Sequence, residues 1–184
     1  MPRLASLSSL DTSSYFSSSP SSARYSAHCP APLPPTEVIP RLYVADISAA
    51  ENPSTLRALG ITHVVSAMPG HVALPPELLL KPMQIPLQDN PFAELAEYLP
   101  RTTAFITDAL RDPHARVLVH CVQGVSRSTS IAAAYLISAC GMSPSQAVQF
   151  VKTKRSQADP NPGFISQLGE YADALRGIPP SRRR

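Results

Sequence analysis

The stretch from residue 117 to residue 129 constrains the fold more than any other part of the chain. It opens with Val-Leu-Val, an apolar run typical of a strand buried in a sheet. Five residues then separate Cys121 from Arg127, and small hydroxyl side chains suited to a helix N-terminus follow. The almost wholly apolar segment 131–140 predicts a helix that is buried on most sides. The stretch therefore predicts a buried strand, a tight loop that starts at a cysteine, and a buried helix.

The loop between this strand and this helix predicts an anion-binding site. Its backbone N–H groups can converge as a nest, and the N-terminus of the following helix adds partial positive charge. Gly124 can adopt the positive φ that a tight curl requires. Arg127 offers a planar guanidinium that can hold two phosphate oxygens together. The positions expected to contribute mainly backbone donors are Val122, Gln123, Val125 and Ser126.

Cys121 lies at the base of this loop, where convergent dipoles and a guanidinium favour the thiolate over the thiol. A thiolate is a nucleophile, and a phosphorus atom held in the loop is its natural electrophile. The alternative is a buried structural cysteine that happens to precede a helix. The order of histidine, cysteine, glycine, arginine and hydroxyl residues favours the catalytic interpretation.

The pattern His-Cys-x-x-Gly-x-x-Arg-Ser at residues 120–128 resembles the signature of the cysteine-dependent protein phosphatases. Its Ser-Arg-Ser ending resembles the dual-specificity branch, and residues 36–177 look like a small, atypical member of that branch. The resemblance implies one α/β domain with a mostly parallel sheet, covered by helices on both faces. It also implies hydrolysis of phosphotyrosine and phosphoserine or phosphothreonine through a cysteinyl-phosphate intermediate.

A second catalytic group should be a carboxyl group, because a phosphoester oxygen leaves poorly without a proton. Asp89 is the candidate, since it lies in a proline-flanked loop after a predicted strand, 32 residues before Cys121. The resemblance supports this choice, because dual-specificity phosphatases carry their general acid in such an upstream loop. The same carboxylate can then activate the water that hydrolyses the intermediate. The alternative is a local role, in which Asp89 or Asn90 caps a helix after Pro91.

Three residues are predicted to support the site. Ser128 can donate its hydroxyl to the Cys121 sulfur, and it can also cap the helix. His120 is expected to fix the loop by hydrogen bonds rather than to transfer protons. Asn161 lies in a Pro-Asn-x-Gly-Phe segment that resembles one near the end of family members, and we interpret it as bracing or capping.

The rest of the domain alternates short apolar strands with amphipathic helices, which predicts a sheet covered on both faces. The predicted strands are 36–39, 42–44, 61–67, 83–87 and 117–119. The predicted helical segments are 46–52, 53–59, 92–99, 100–110, 126–140, 144–154 and a last one from Pro162. Asn-Pro or Ser-Pro pairs open three of these helices. We expect Pro100 to restart a helix, and we expect Phe164, Leu168, Tyr171 and Leu175 to face the core.

The substrate is constrained by the uncharged residues of the loop. Phosphatases of this kind that act on lipid headgroups tend to place lysines there, so a phosphoprotein is favoured over a phosphoinositide or an RNA. Lys152, Lys154 and Arg155 could form a basic rim near the pocket, but a solvated helix end is the favoured interpretation. Two other classes remain open: a catalytically weak phosphoprotein-binding module, and a rhodanese-type sulfurtransferase.

The three cysteines and five histidines lack the spacing of a disulfide framework or a zinc site. We therefore expect no metal and no cofactor. Cys29 falls in the N-terminal tail, and Cys140 is interpreted as a small core residue at the end of an apolar helix.

Residues 1–35 contain eleven serines and a cluster of prolines, which predicts a disordered tail before a catalytic domain at 36–177. Residues 178–184 form a basic tail. From residue 36 to residue 180 there are 11 basic and 12 acidic side chains, which gives no support for nucleic-acid binding.

No apolar run approaches a membrane span. A reactive thiolate favours the cytoplasm or the nucleus, with an organelle transit peptide in the serine-rich tail as the alternative.

Overall fold

The computed structural model describes residues 33–178. Cys29 and most of the two predicted tails lie outside the described residues. Within residues 33–178 the elements, in chain order, are β1 (Thr36–Ile39), β2 (Leu42–Ala45), α1 (Ile47–Ala50), α2 (Pro53–Leu59), β3 (His63–Ala67), β4 (Lys81–Ile85), α3 (Leu95–Leu110), β5 (Val117–His120), α4 (Arg127–Cys140), α5 (Pro144–Lys154) and α6 (Pro162–Leu175). None of these helices combines the length and the apolar character that a bilayer crossing needs.

The strands form one sheet in the order β1-β2-β5-β3-β4. β1 and β2 form an antiparallel hairpin, and the other three neighbouring pairs are parallel. β5 is therefore central, with two strands on each side. The predicted α/β fold with a mostly parallel sheet is confirmed.

Helices cover both faces of this sheet. Tyr43 and Leu118 pack towards α1 and α2 on one face. Their chain neighbours Val44 and Val119 point to the opposite face, where α3 to α6 pack, because successive side chains of a strand alternate between faces. Residues 127–137 of α4 are all buried, so the prediction of a buried helix after the loop is correct.

Three helices begin at the caps predicted from the sequence. The side chains of Asn52, Ser143 and Asn161 each accept a hydrogen bond from a backbone N–H in the first turn of α2, α5 and α6. In each case a proline follows at the first helical position, where its missing N–H removes no bond of the helix.

Pro100 does not restart a helix, because α3 runs unbroken from residue 95 to residue 110 with Pro100 inside it. The proline removes only the bond to the carbonyl of residue 96, and it lies on the exposed side of the helix, where water can reach that carbonyl. The predicted helix at 92–99 also starts later than expected, so residues 86–94 form a loop after β4.

Two predicted core positions are wrong, and the bounds of one predicted strand are shifted by two residues. Cys140 is exposed, because α4 emerges from the core at its last three residues. Leu175 is the final residue of α6 and is half exposed. The strand expected at 83–87 is β4 at Lys81–Ile85, because an edge strand tolerates Pro82, which lacks an N–H.

Candidate active site

The loop between β5 and α4 spans residues 121–126 and lies at the carboxyl end of the central strand. Ligands of open parallel sheets bind at this end. Gly124 curls the loop with a φ of 68°. A Cβ at this position would lie 2.7 Å from both the Ala45 carbonyl and the Arg155 guanidinium. The position therefore requires glycine for its conformation and for the space around it.

The Cys121 side chain is 1% exposed at the base of the loop. Its Sγ lies 3.3 Å from the Ser128 Oγ and accepts the Gly124 N–H at 3.2 Å. Hydrogen bonds to an ionised acceptor are stronger than those to a neutral one, so both contacts stabilise negative charge on the sulfur. The N-terminus of α4, which begins at residue 127, adds its dipole. These are the surroundings in which a cysteine acts as a nucleophile.

Arg127 lies buried beside the loop and points towards the segment that follows β4. Its NH1 donates to the Leu87 carbonyl at 3.3 Å, and its Nε lies 3.6 Å from Asp89 Oδ2. Among the described residues this Nε has no hydrogen-bond partner. The guanidinium is thus oriented by the segment that carries Asp89.

Asp89 is held by two other segments of the chain. Its Oδ1 accepts the Ser126 hydroxyl at 2.7 Å and the Asn161 Nδ2–H at 2.9 Å, and its side chain remains 34% exposed. Ser126 was expected to contribute mainly its backbone, but its side chain also carries this contact. The carboxylate is therefore fixed between the catalytic loop and the start of α6, and it stays accessible from solvent.

Asp89 does not cap the helix that follows it. The helix after Pro91 starts only at Leu95, and its N-cap residue is Glu94. Asn90 takes the local role instead, because its Oδ1 accepts the Phe92 N–H at 3.0 Å. The carboxylate of Asp89 is thus left for the site.

Asn161 makes several hydrogen bonds where α6 begins, and two of them go to residues of the site. Its Oδ1 accepts the Phe164 N–H at 3.0 Å as the cap of α6, and its Nδ2 binds Asp89. Its backbone N–H donates to the Ser126 Oγ at 3.1 Å. One asparagine therefore links α6 to both the catalytic loop and the acid candidate.

The geometry agrees with what comparison with known proteins shows. Residues 42–174 match the family model "Dual specificity phosphatase, catalytic domain". The chain belongs to the dual specificity phosphatase family. It is a cysteine-dependent protein phosphatase, and a cysteinyl-phosphate intermediate is typical of its family.

Relatives from distant organisms share this domain. Dual specificity protein phosphatase 1B of Arabidopsis thaliana is 35% identical over 146 residues, which cover 77% of this chain and 84% of the relative. Dual specificity protein phosphatase 13B of Homo sapiens is 39% identical over 138 residues, covering 72% of this chain and 69% of the relative. The crystal structure of human DUSP28 superposes with a TM-score of 0.73 at 34% identity, covering 80% of this chain and 98% of that one.

His120 supports the catalytic loop of this phosphatase from inside the sheet. Its Nε2 lies 2.7 Å from the Ser66 Oγ, and its Nδ1 lies 3.4 Å from the Cys121 carbonyl oxygen. Burial lowers the pKa of His120 to about 4, outweighing the opposing effects of the Cys121 carbonyl, Glu51 and Asp46. The ring is therefore neutral near pH 7, and one tautomer donates to the Cys121 carbonyl while accepting from Ser66.

Arg155 is the residue that sequence reasoning misplaced. It is neither a solvated helix end nor part of a basic rim, because its side chain is 1% exposed. Its Nε donates to the Gly124 carbonyl at 2.8 Å, and its NH1 donates to the Pro34 carbonyl at 3.1 Å and the Thr36 Oγ1 at 3.0 Å. The guanidinium thus ties the catalytic loop to the segment that enters β1.

Arg155 also interacts electrostatically with Cys121. Burial lowers the pKa of Arg155, while the negative charges of Asp46 and Cys121 oppose that shift. Because an arginine stays protonated in proteins, this places a second buried cation near the sulfur. The neighbouring lysines lie elsewhere: Lys152 pairs with Asp159, and Lys154 lies over the Phe150 ring.

Proposed function

We propose that Cys121, Asp89, Arg127 and Ser128 carry out the phosphatase reaction of this protein. The observation that carries the proposal is the convergence of two hydrogen-bond donors on the buried Cys121 sulfur, beside the paired Arg127 and Asp89 side chains. A nucleophile, an anion-binding loop and a carboxyl group in one place are the parts that phosphoester hydrolysis through a covalent intermediate needs.

In the first step the Cys121 thiolate attacks the phosphorus. The S–P bond forms as the bond between phosphorus and the ester oxygen breaks. Protonated Asp89 gives its proton to that oxygen, which leaves as a neutral hydroxyl group. The loop N–H groups and the Arg127 guanidinium hold the non-bridging oxygens, where negative charge is concentrated.

In the second step Asp89, now a carboxylate, takes a proton from a water molecule. The water oxygen attacks the phosphorus, the S–P bond breaks, and inorganic phosphate is released. Ser128 donates to the departing sulfur, so its hydroxyl stabilises Cys121 as a leaving group as well as an attacking group. The cycle returns both catalytic residues to their starting protonation states.

We propose a phosphoprotein as the substrate. The side chains at positions 122, 123 and 125 carry no charge, and Arg155 is buried beneath the loop. A headgroup with several phosphates would gain little from such a loop beyond the contact with Arg127. The same lack of charged loop positions supports our expectation that nucleic acid is not the substrate. A panel of phosphopeptides, phosphoinositides and 5′-phosphorylated RNA tests this, and faster turnover of either non-protein class would refute it.

The roles of the residues are tested with p-nitrophenyl phosphate and a phosphopeptide. Cys121→Ser is expected to abolish hydrolysis while retaining phosphopeptide binding, because serine is a much weaker nucleophile in this loop. Lys152→Met, on the exposed side of α5, serves as the matched control and is expected to keep full activity. Hydrolysis by Cys121→Ser at the wild-type rate would refute the proposal. A wild-type protein that binds the phosphopeptide without turning it over would instead support a binding module.

We also propose that residues 36–177 form the catalytic domain, flanked by tails, and that the protein works in the cytoplasm or the nucleus. The elements from β1 to α6 support the domain bounds. A sulfur that must stay reduced supports the compartment. Limited proteolysis and imaging of a fluorescent fusion test them. Cleavage inside the domain before its flanks, or import into an organelle, would contradict them.

A further inference from the structure

Residues 86–94, which we call the acid loop, carry Asp89 and end at the start of α3. Gln167 of α6 bridges the end of this loop and the first turn of α3 with the two ends of its side-chain amide. Its Oε1 accepts the Ala96 N–H at 2.9 Å, and its Nε2 donates to the Ala93 carbonyl at 2.8 Å. Gln167 is 7% exposed, and both bonds are partly buried.

The first turn of α3 needs this contact. Its N-cap residue, Glu94, makes no side-chain hydrogen bond to the helix. The first N–H groups of a helix have no partner within it, and a buried one without an acceptor is costly. Gln167 supplies from another helix the acceptor that α3 does not provide for itself. The place where the acid loop ends is therefore set by α6.

The same helix contacts the loop at two earlier points. Asn161 donates to Asp89 itself. Gly163 packs so closely that a Cβ there would overlap the Pro91 carbonyl. Gly163 and Gln167 are four residues apart and thus lie on one face of α6, which follows the loop along its length.

We propose that Gln167 is a positioning residue for the phosphatase reaction: it fixes the acid loop so that the Asp89 carboxyl group meets the leaving oxygen. The proposal rests on the acid role of Asp89 given above. Among the described residues the side-chain hydrogen bonds of Gln167 go to Ala93 and Ala96, and none goes to the Cys121 sulfur. Small displacements of a catalytic group lower rates strongly, because proton transfer requires the donor within hydrogen-bonding reach.

The test separates acid positioning from general stability by comparing two leaving groups. Nitrophenolate leaves readily without a proton, whereas the phenolate of phenyl phosphate depends on one. Unfolded or inactive protein in a preparation lowers kcat/KM for both substrates by the same factor, so the ratio of the two values does not depend on it. Gln167→Met is expected to lower kcat/KM for phenyl phosphate about tenfold more than for p-nitrophenyl phosphate. Gln149→Met, at an exposed glutamine of α5, is the matched control and should leave the ratio unchanged.

Double variants complete the test. In an Asp89→Asn background Gln167→Met should not change the ratio further, because no acid remains to be positioned. Gln167→Glu offers a second variant that keeps the acceptor for Ala96 and sets a carboxylate oxygen against the Ala93 carbonyl, so the ratio should shift in the same direction. Equal losses on both substrates in the Gln167 variants would overturn the proposal. If Asp89→Asn itself leaves the ratio unchanged, the acid role of Asp89 fails instead.

Discussion

Acidification should destabilise the folded domain through His120. In the folded state the pKa of His120 is about 4, whereas a histidine in an unfolded chain has its ordinary value of 6.5. Between these values the unfolded chain binds a proton that the folded domain excludes. The free energy of unfolding therefore falls as the pH falls, and it recovers fully above pH 6.5.

The magnitude follows from the two pKa values. At about 1.36 kcal/mol for each pH unit, the complete effect below pH 4 is roughly 3 kcal/mol. Between pH 7 and pH 5 the linkage relation gives about 2 kcal/mol. That loss is a large fraction of the roughly 5–15 kcal/mol that stabilise a typical domain.

Urea unfolding at pH 7, 6 and 5 measures this effect. The wild type should lose about 2 kcal/mol more over this range than His120→Asn, which has no titrating ring. His63, whose pKa is also lowered chiefly by burial, remains in both proteins and cancels in the difference. Parallel curves for the wild type and His120→Asn would refute the assignment of a buried neutral ring.

Three further changes test the other parts of the site. Asp89→Asn should lower turnover of phenyl phosphate by a factor of order 10²–10⁴, as measured by phosphate release, and unchanged turnover would exclude the acid role. Ser128→Ala should slow breakdown of the intermediate, so a burst of p-nitrophenol should precede the steady state; a linear time course with normal kcat would contradict it. Arg155→Met should cost roughly 2 kcal/mol of stability by urea unfolding, because it leaves the Gly124 carbonyl without its buried donor; an unchanged midpoint would contradict it.

The path of the catalytic loop could be predicted because the residues that start, curl and end it are neighbours in the chain. A buried strand, a glycine with positive φ and a helix start follow each other within residues 117–129, and each is dictated by its own neighbours. The sulfur of Cys121 and the hydroxyl of Ser128 meet because they lie at the two ends of one tight curl. Such short-range geometry can be read from the sequence, although Arg155 braces it from 31 residues away.

The contacts between distant segments could not be predicted in this way. Arg155 and Gly124 are 31 residues apart, and Gln167 and Ala96 are 71 apart. In the sequence, a polar residue on a helix such as α5 or α6 is expected to face solvent. Arg155 and Gln167 are buried only because of how these two helices pack. One weak signal was present: Arg155 continues the row of buried side chains at Ala147 and Val151 with the same four-residue spacing.

Together these distant contacts divide the support of the site into two parts. Arg155 holds the Gly124 carbonyl, and thereby the curl in which the Gly124 N–H donates to the Cys121 sulfur. Gln167 holds the end of the acid loop, and its hydrogen bonds within the described part of the chain go to Ala93 and Ala96 rather than to that curl. Removing the Arg155 guanidinium should therefore weaken phosphate binding and slow attack by the sulfur for every substrate alike. Binding and attack both depend on hydrogen-bond donors that are fixed before the substrate arrives. Removing the Gln167 amide should lower the rate only for substrates whose leaving oxygen needs a proton. The Arg155 variant should therefore fail on every substrate, and the Gln167 variant only on those with a poor leaving group.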